Sequence, residues 1–121
     1  MKWTLLLPAA TPSQNTRDRQ HPMARHRDKG TWWWLVRGAE GFLQIPRASG
    51  RRRLTIERHA RTRAQDEANV FGGTKGLVDD LVELRLLMDD SPAWLELGAP
   101  RHVPLAKGER PFTVLILEDC A

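Results

Sequence analysis

The chain of 121 residues holds a single cysteine, Cys120, so it can close no internal disulfide, and that thiol at the tail is expected to be inert. It has no long apolar run. The one at the N-terminus, Trp3 to Leu7 broken by Thr4, stops at Pro8. That is too short to span a membrane, and no small-residue cleavage pattern follows a full apolar region. Neither a membrane anchor nor a signal peptide is expected, and a cytoplasmic location is the default. No internal repeat and no long linker interrupts the pattern, so residues 1–121 are expected to form one domain. Several catalytic patterns are also missing. Gly72-Gly73-Thr74-Lys75 has P-loop letters in the wrong order. His21, His26, His59 and His102 have neither zinc-ligand spacing nor cysteine partners, and no Ser-His-Asp signature stands out. No small-molecule cofactor is implied.

What the chain does have is arginine, unevenly placed. The net charge is only +4, yet residues 1–63 carry fourteen Lys and Arg against four acids, a net of +10. The remainder carries five against eleven, a net of −6. Fifteen of the nineteen basic residues are Arg, whose planar fork suits phosphate. A basic half implies a polyanionic partner. An acidic half with clustered Asp implies either a solvated face or a divalent-cation site.

Hydrophobic spacing predicts a mixed α/β (α+β) fold, a small sheet with two helices packed on it. Trp3 to Leu7 reads as a strand. Pro8 to Gly30 has loop composition. Thr31 to Phe42 reads as a short helix with Thr31 as N-cap, ended by Gly41 and Pro46. Arg51 to His59 alternates with period two, Leu54 and Ile56 against Thr55 and Glu57. Asn69 to Leu87 holds the second helix, with Leu77, Leu81 and Leu84 in one stripe and the regular turns starting near Thr74. Asp89-Asp90-Ser91-Pro92 is a turn. Trp94 to Leu97, His102 to Leu105 and Pro111 to Glu118 are strand candidates, the last with Phe112, Val114 and Ile116 on one face.

The chemistry gathers around one lysine. Asp66 leaves the basic strand, Lys75 and Asp79 lie one helical turn apart, and Asp89 and Asp90 sit in the turn beyond. Carboxylates gathered together repel unless a cation neutralises them, and Mg²⁺ takes such oxygen ligands with waters and a substrate phosphate. Lys75 would then neutralise charge developing on phosphorus. The competing reading is an ordinary Lys75–Asp79 ion pair and a solvated Asp-Asp turn.

The stretch Asp66-Glu67-Ala68-Asn69-Val70-Phe71-Gly72-Gly73-Thr74-Lys75-Gly76-Leu77-Val78-Asp79-Asp80-Leu81, followed by Met88-Asp89-Asp90-Ser91, resembles the RusA family of Holliday junction resolvases, and most closely its phage-type members with Gly-Gly before the Lys. The opening strand followed by Pro12-Ser13-Gln14-Asn15, the strand Arg53 to His59 and the closing Lys107 to Leu117 extend the likeness along the chain. The resemblance implies a homodimeric, Mg²⁺-dependent endonuclease that nicks four-way DNA junctions symmetrically in recombination and repair. It assigns Asp66, Asp79 and Asp90, with Asp89 beside them, as metal ligands, and Lys75 as the electrostatic helper. Asn69 matches the motif's Asn and is grouped with the DNA contacts. The family's second Asp, just before that Asn, is Ala68 here, and Glu67 stands next to it. A non-catalytic relative that binds branched DNA is therefore the alternative.

Arg51, Arg52, Arg53, Arg58, Arg61 and Arg63 lead along the basic strand towards Asp66. They are candidate phosphate contacts, which position a protein on DNA without reading sequence; Arg51 to Arg53 also fit a solvated strand start. Trp32-Trp33-Trp34 cannot all stack on one ligand, because successive helical side chains point about 100° apart. One or two belong in the core or at an interface, and a wedge at a DNA junction is the other use. A third class of function is a basic accessory protein docking a partner through this Trp-rich helix. His59 is either a neutral-pH titrating group or a packed strand residue.

Overall fold

A computed structural model describes residues 1–11, 22–61 and 73–120, with the side chains of 22–29 left aside. Five strands and two helices form a mixed α+β fold: β1 (Lys2–Leu7), α1 (Pro22–Arg37), a 3₁₀ turn (Phe42–Gln44), β2 (Arg52–Ala60), α2 (Lys75–Glu83), β3 (Leu95–Leu97), β4 (Arg101–Pro104) and β5 (Phe112–Asp119). The open sheet runs β1-β5-β2-β3, and β4 continues the β3 edge by pairing farther along β2. β5 is antiparallel to both β1 and β2, with Leu5 opposite Leu115 and Ile56 opposite Leu115 from the other side. β3 and β4 run parallel to β2. The antiparallel pairs need no crossover, whereas a parallel β2–β3 pair does, and α2 lies in that connection.

The pleat sorts the strands into two faces. Leu5, Leu7, Leu54, Ile56, Leu115 and Leu117 turn inward and meet Trp32 and Val36 of α1 and Leu77, Val78 and Leu81 of α2. The helices also pack on each other. The opposite sheet face carries Leu6, 58% exposed, and half-buried Val114 and Ile116. None of the described helices is long and apolar enough to cross a membrane.

The predicted strand positions agree with β1 to β5 to within a residue or two at each end. The first helix does not. It begins at Pro22, nine residues before the expected Thr31, so Thr31 lies inside the helix and is no cap. A polar stretch without apolar period carries no signal for a buried face, and Pro22 fits a first helical position, where no N–H is required. Residues 12–21 of the expected loop lie outside the described residues. The helix also ends sooner, at Arg37, and Gly41 follows with a left-handed φ of 91°. α2 has Thr74 at its N-cap position, where the regular turns are expected to start, and ends before the expected Leu87 with Leu84 at its C-cap; residues 69–72 of the expected span lie outside the described residues. The chain then turns through Arg85 at φ 64°. The Leu86 N–H donates to the Leu81 carbonyl and the Arg85 N–H to that of Val82, at 3.0 Å each, the paired bonds of a Schellman ending.

Candidate functional site

β2 is the axis of the region, and its period-two alternation divides the arginines expected to touch DNA. Arg51, Arg53 and Arg61 are exposed. Arg52 is turned into the core face and only 2% exposed. Its Nε donates to Asp119 Oδ1 at 2.8 Å, Nη1 to the Leu86 carbonyl at 3.0 Å and Nη2 to the Pro46 carbonyl at 2.9 Å. Its guanidinium carbon lies 4.8 Å from the centre of the Trp3 ring. Arg58 is also buried, its Nε donating to the Thr11 carbonyl at 2.6 Å and its Nη1 lying 3.0 Å from His102 Nδ1. Arg is a donor only, so that contact requires the His102 tautomer with a bare Nδ1. Burial pulls the Arg58 guanidinium below its usual range. The expectation that Arg52 and Arg58 meet phosphate is thus corrected: both are inside, tying β2 to neighbouring chain. Arg63, Asp66 and Asn69, with Glu67 and Ala68, lie outside the described residues.

α2 displays the rest of the motif. Lys75 is exposed at the helix start, Asp79 is half-buried one turn on, and Asp80 is 1% exposed on the inner side. Among the described ion pairs none joins Lys75 to Asp79. Helical spacing brings two Cβ atoms near each other without obliging the charged ends to meet, and here both side chains remain apart.

Asp89 and Asp90 are exposed in the loop between α2 and β3. That loop is fastened at both ends by the strand behind it. Arg52 Nη1 holds the Leu86 carbonyl, the Arg52 N–H donates to the Trp94 carbonyl at 3.0 Å, and Arg51 Nε donates to the Pro92 carbonyl at 3.1 Å. The Ser91 carbonyl accepts from the N–H groups of Trp94 and Leu95. The Asp89 carboxyl lies below its usual range because the Asp90 N–H and then the Ser91 hydroxyl bond it. It is therefore ionised at neutral pH. Among the described residues no three of His, Cys, Asp and Glu converge closely enough to hold a metal ion; Asp66 lies outside them.

The three tryptophans separate as helical geometry requires. Trp32 is core at 7% exposure, Trp33 is half-buried and Trp34 is 69% exposed, with the last two rings edge to face at 4.7 Å. His59 is packed on the strand, stacked on Phe112 at 4.2 Å and 3.3 Å from Glu57 Oε1.

One feature had no signal in the residue spacing. Arg37 at the end of α1, Arg47 after the 3₁₀ turn and Arg85 after α2 line a single groove of about 390 Å³ together with Trp33, Phe42, Leu43 and Ile45. They are far apart in the chain, so only the packing of α1 against α2 unites them. No family model matches this chain, and no curated protein matches it.

Proposed function

We propose that this chain is a RusA-like, Mg²⁺-dependent endonuclease that resolves four-way DNA junctions as a homodimer. The observation that carries the reading is the separation of Lys75 from Asp79: an exposed ammonium and a half-buried carboxylate on one helix face that do not neutralise each other. An open pair leaves the ammonium available to a phosphate and the carboxylate available to a cation. The sequence motif supplies Asp66, Asn69, Asp89 and Asp90 on either side.

The donor chemistry fits a hard divalent cation. Every candidate ligand is a carboxylate, Asp89 is held ionised by its neighbours, and no thiolate or imidazole competes among Asp66, Asp79, Asp89 and Asp90. The resemblance assigns these four to Mg²⁺, although Asp79, Asp89 and Asp90 do not converge in this structure; the metal, when bound, would polarise a phosphoryl oxygen and lower the pKa of an attacking water. Lys75 draws the scissile phosphate by charge and offsets the negative charge that grows on its oxygens as water adds. Arg53 on β2 and Arg51 and Arg61 at its two ends, all exposed, take flanking phosphates and fix the position of the backbone without reading bases. A two-fold dimer matches a junction that offers two equivalent strands, which accounts for paired nicks.

Asp90→Asn tests the ligand assignment. It keeps the side chain's shape and removes its charge. Loss of junction cleavage with junction binding intact is expected, and unchanged cleavage removes Asp90 from the site. The non-catalytic alternative draws on Ala68, and it predicts that the unaltered chain binds junctions without nicking them in any divalent metal.

A further inference from the structure

The groove formed by Arg37, Arg47 and Arg85 takes part in none of the interactions assigned above, and its most telling residue is Arg85. The position after a Schellman helix end adopts a left-handed backbone and is usually glycine, because a Cβ is strained there. Arg85 occupies it at φ 64°. Its carbonyl accepts from the Ala48 N–H at 2.8 Å, a main-chain bond that any residue at this position could make. Among the described residues no hydrogen bond or ion pair engages the Arg85 side chain, while its left-handed backbone favours glycine. That side chain is exposed and lines the groove with exposed Arg37 and Arg47. Arg37 also lies over Trp33, 5.5 Å from the ring centre, and Leu43 beside it is 92% exposed. Glu83 lines the same groove, leaving cationic charge in excess. A neighbouring hollow shares Arg47 and Arg85 and reaches Met88, the residue before Asp89.

We propose that this groove is a second phosphate-binding surface, which carries an arm of the branched DNA towards the Asp89-Asp90 turn. The inference rests on the DNA reading above and extends it to the helical side of the molecule. Three guanidiniums of fixed charge favour a polyanion, and their planar forks match phosphate oxygens. The exposed Leu43 and the edge of Trp33 offer apolar surface to sugar or base, which a backbone-tracking groove uses without sequence preference.

The test compares the unaltered chain, Arg85→Gly, the triple variant Arg37→Gln/Arg47→Gln/Arg85→Gly, and Arg110→Gln as a charge control on the exposed β4–β5 loop. Melting temperature and affinity for a synthetic four-way junction are measured over a range of salt concentrations. Arg85→Gly is expected to melt a few degrees higher while binding the junction more weakly. The triple variant is expected to lose about tenfold or more in affinity, and its log K against log salt slope should flatten by roughly 0.9 for each phosphate contact removed. Arg110→Gln should leave both nearly unchanged. If the unaltered chain binds and the triple variant matches it in affinity and slope, the groove is not a DNA surface and the DNA reading stands alone. An equal loss in Arg110→Gln would mean that only net charge matters, which also overturns the groove. A fall in melting temperature in Arg85→Gly would show that the side chain serves the fold. No junction binding by the unaltered chain would overturn the DNA reading, and the groove with it.

Discussion

Arg52 and Arg53 are adjacent and chemically identical, yet one is 2% exposed with every nitrogen of its fork engaged and the other is exposed. The strand's period of two decides this, not the charge. Arg52→Leu leaves the Leu86 and Pro46 carbonyls without their donor, and the cost expected is about 2–4 kcal/mol in urea unfolding. Asp119→Asn should cost far less, at most about 1 kcal/mol, because that carboxylate is 51% exposed and its ion pair is screened. Equal losses in the two variants would show that the ion pair, rather than the carbonyl bonds, carries the stabilisation. Arg53→Gln should leave stability unchanged while weakening junction binding.

At the scale of elements, α2 and the loop after it connect fold to chemistry. Leu81 is fully buried at the helix–sheet contact, and Leu81→Ala should cost about 2–5 kcal/mol by chemical denaturation. The loop has its own pH signature. Asp89 is depressed in the folded chain, so the stability it contributes is present above the ordinary carboxylate range and is lost as pH falls through its lowered value. The melting temperature of the unaltered chain should therefore exceed that of Asp89→Asn at neutral pH, and the gap should close in acid. A gap independent of pH would detach Asp89 from these bonds. The elements differ in how plainly the sequence declares them. β2 and β5 alternate apolar and polar residues, and α2 carries a leucine stripe, so burial writes a visible period into each. The first half of α1 is polar and carries no apolar period in its sequence. Arg52 and Arg58 read as surface charge because a buried guanidinium is rare unless backbone carbonyls accept its protons, and those come from distant segments. Lys75, Asp79, Asp89 and Asp90 are legible as a motif, whereas the Arg37–Arg47–Arg85 groove exists only once α1 and α2 pack.

For the whole molecule, the division of charge takes a physical form. Arg51 bonds the Asp89-Asp90 loop at Pro92, and the groove's Arg47 and Arg85 share a hollow with Met88, so in the proposed nuclease cationic side chains stand beside the turn whose carboxylates would take a cation. The proposed nuclease would need the metal for cleavage but not for phosphate attraction, so binding and cleavage should separate when metal is removed. The most direct measurement is incubation of the full chain with an end-labelled synthetic four-way junction, in Mg²⁺ and in EDTA, beside a linear duplex of the same sequence. Paired symmetric nicks are expected in the junction alone and only with Mg²⁺, with junction binding retained in EDTA. Tight binding without nicks in any divalent metal would contradict the nuclease and leave a binder of branched DNA. Neither binding nor nicks would contradict the account as a whole.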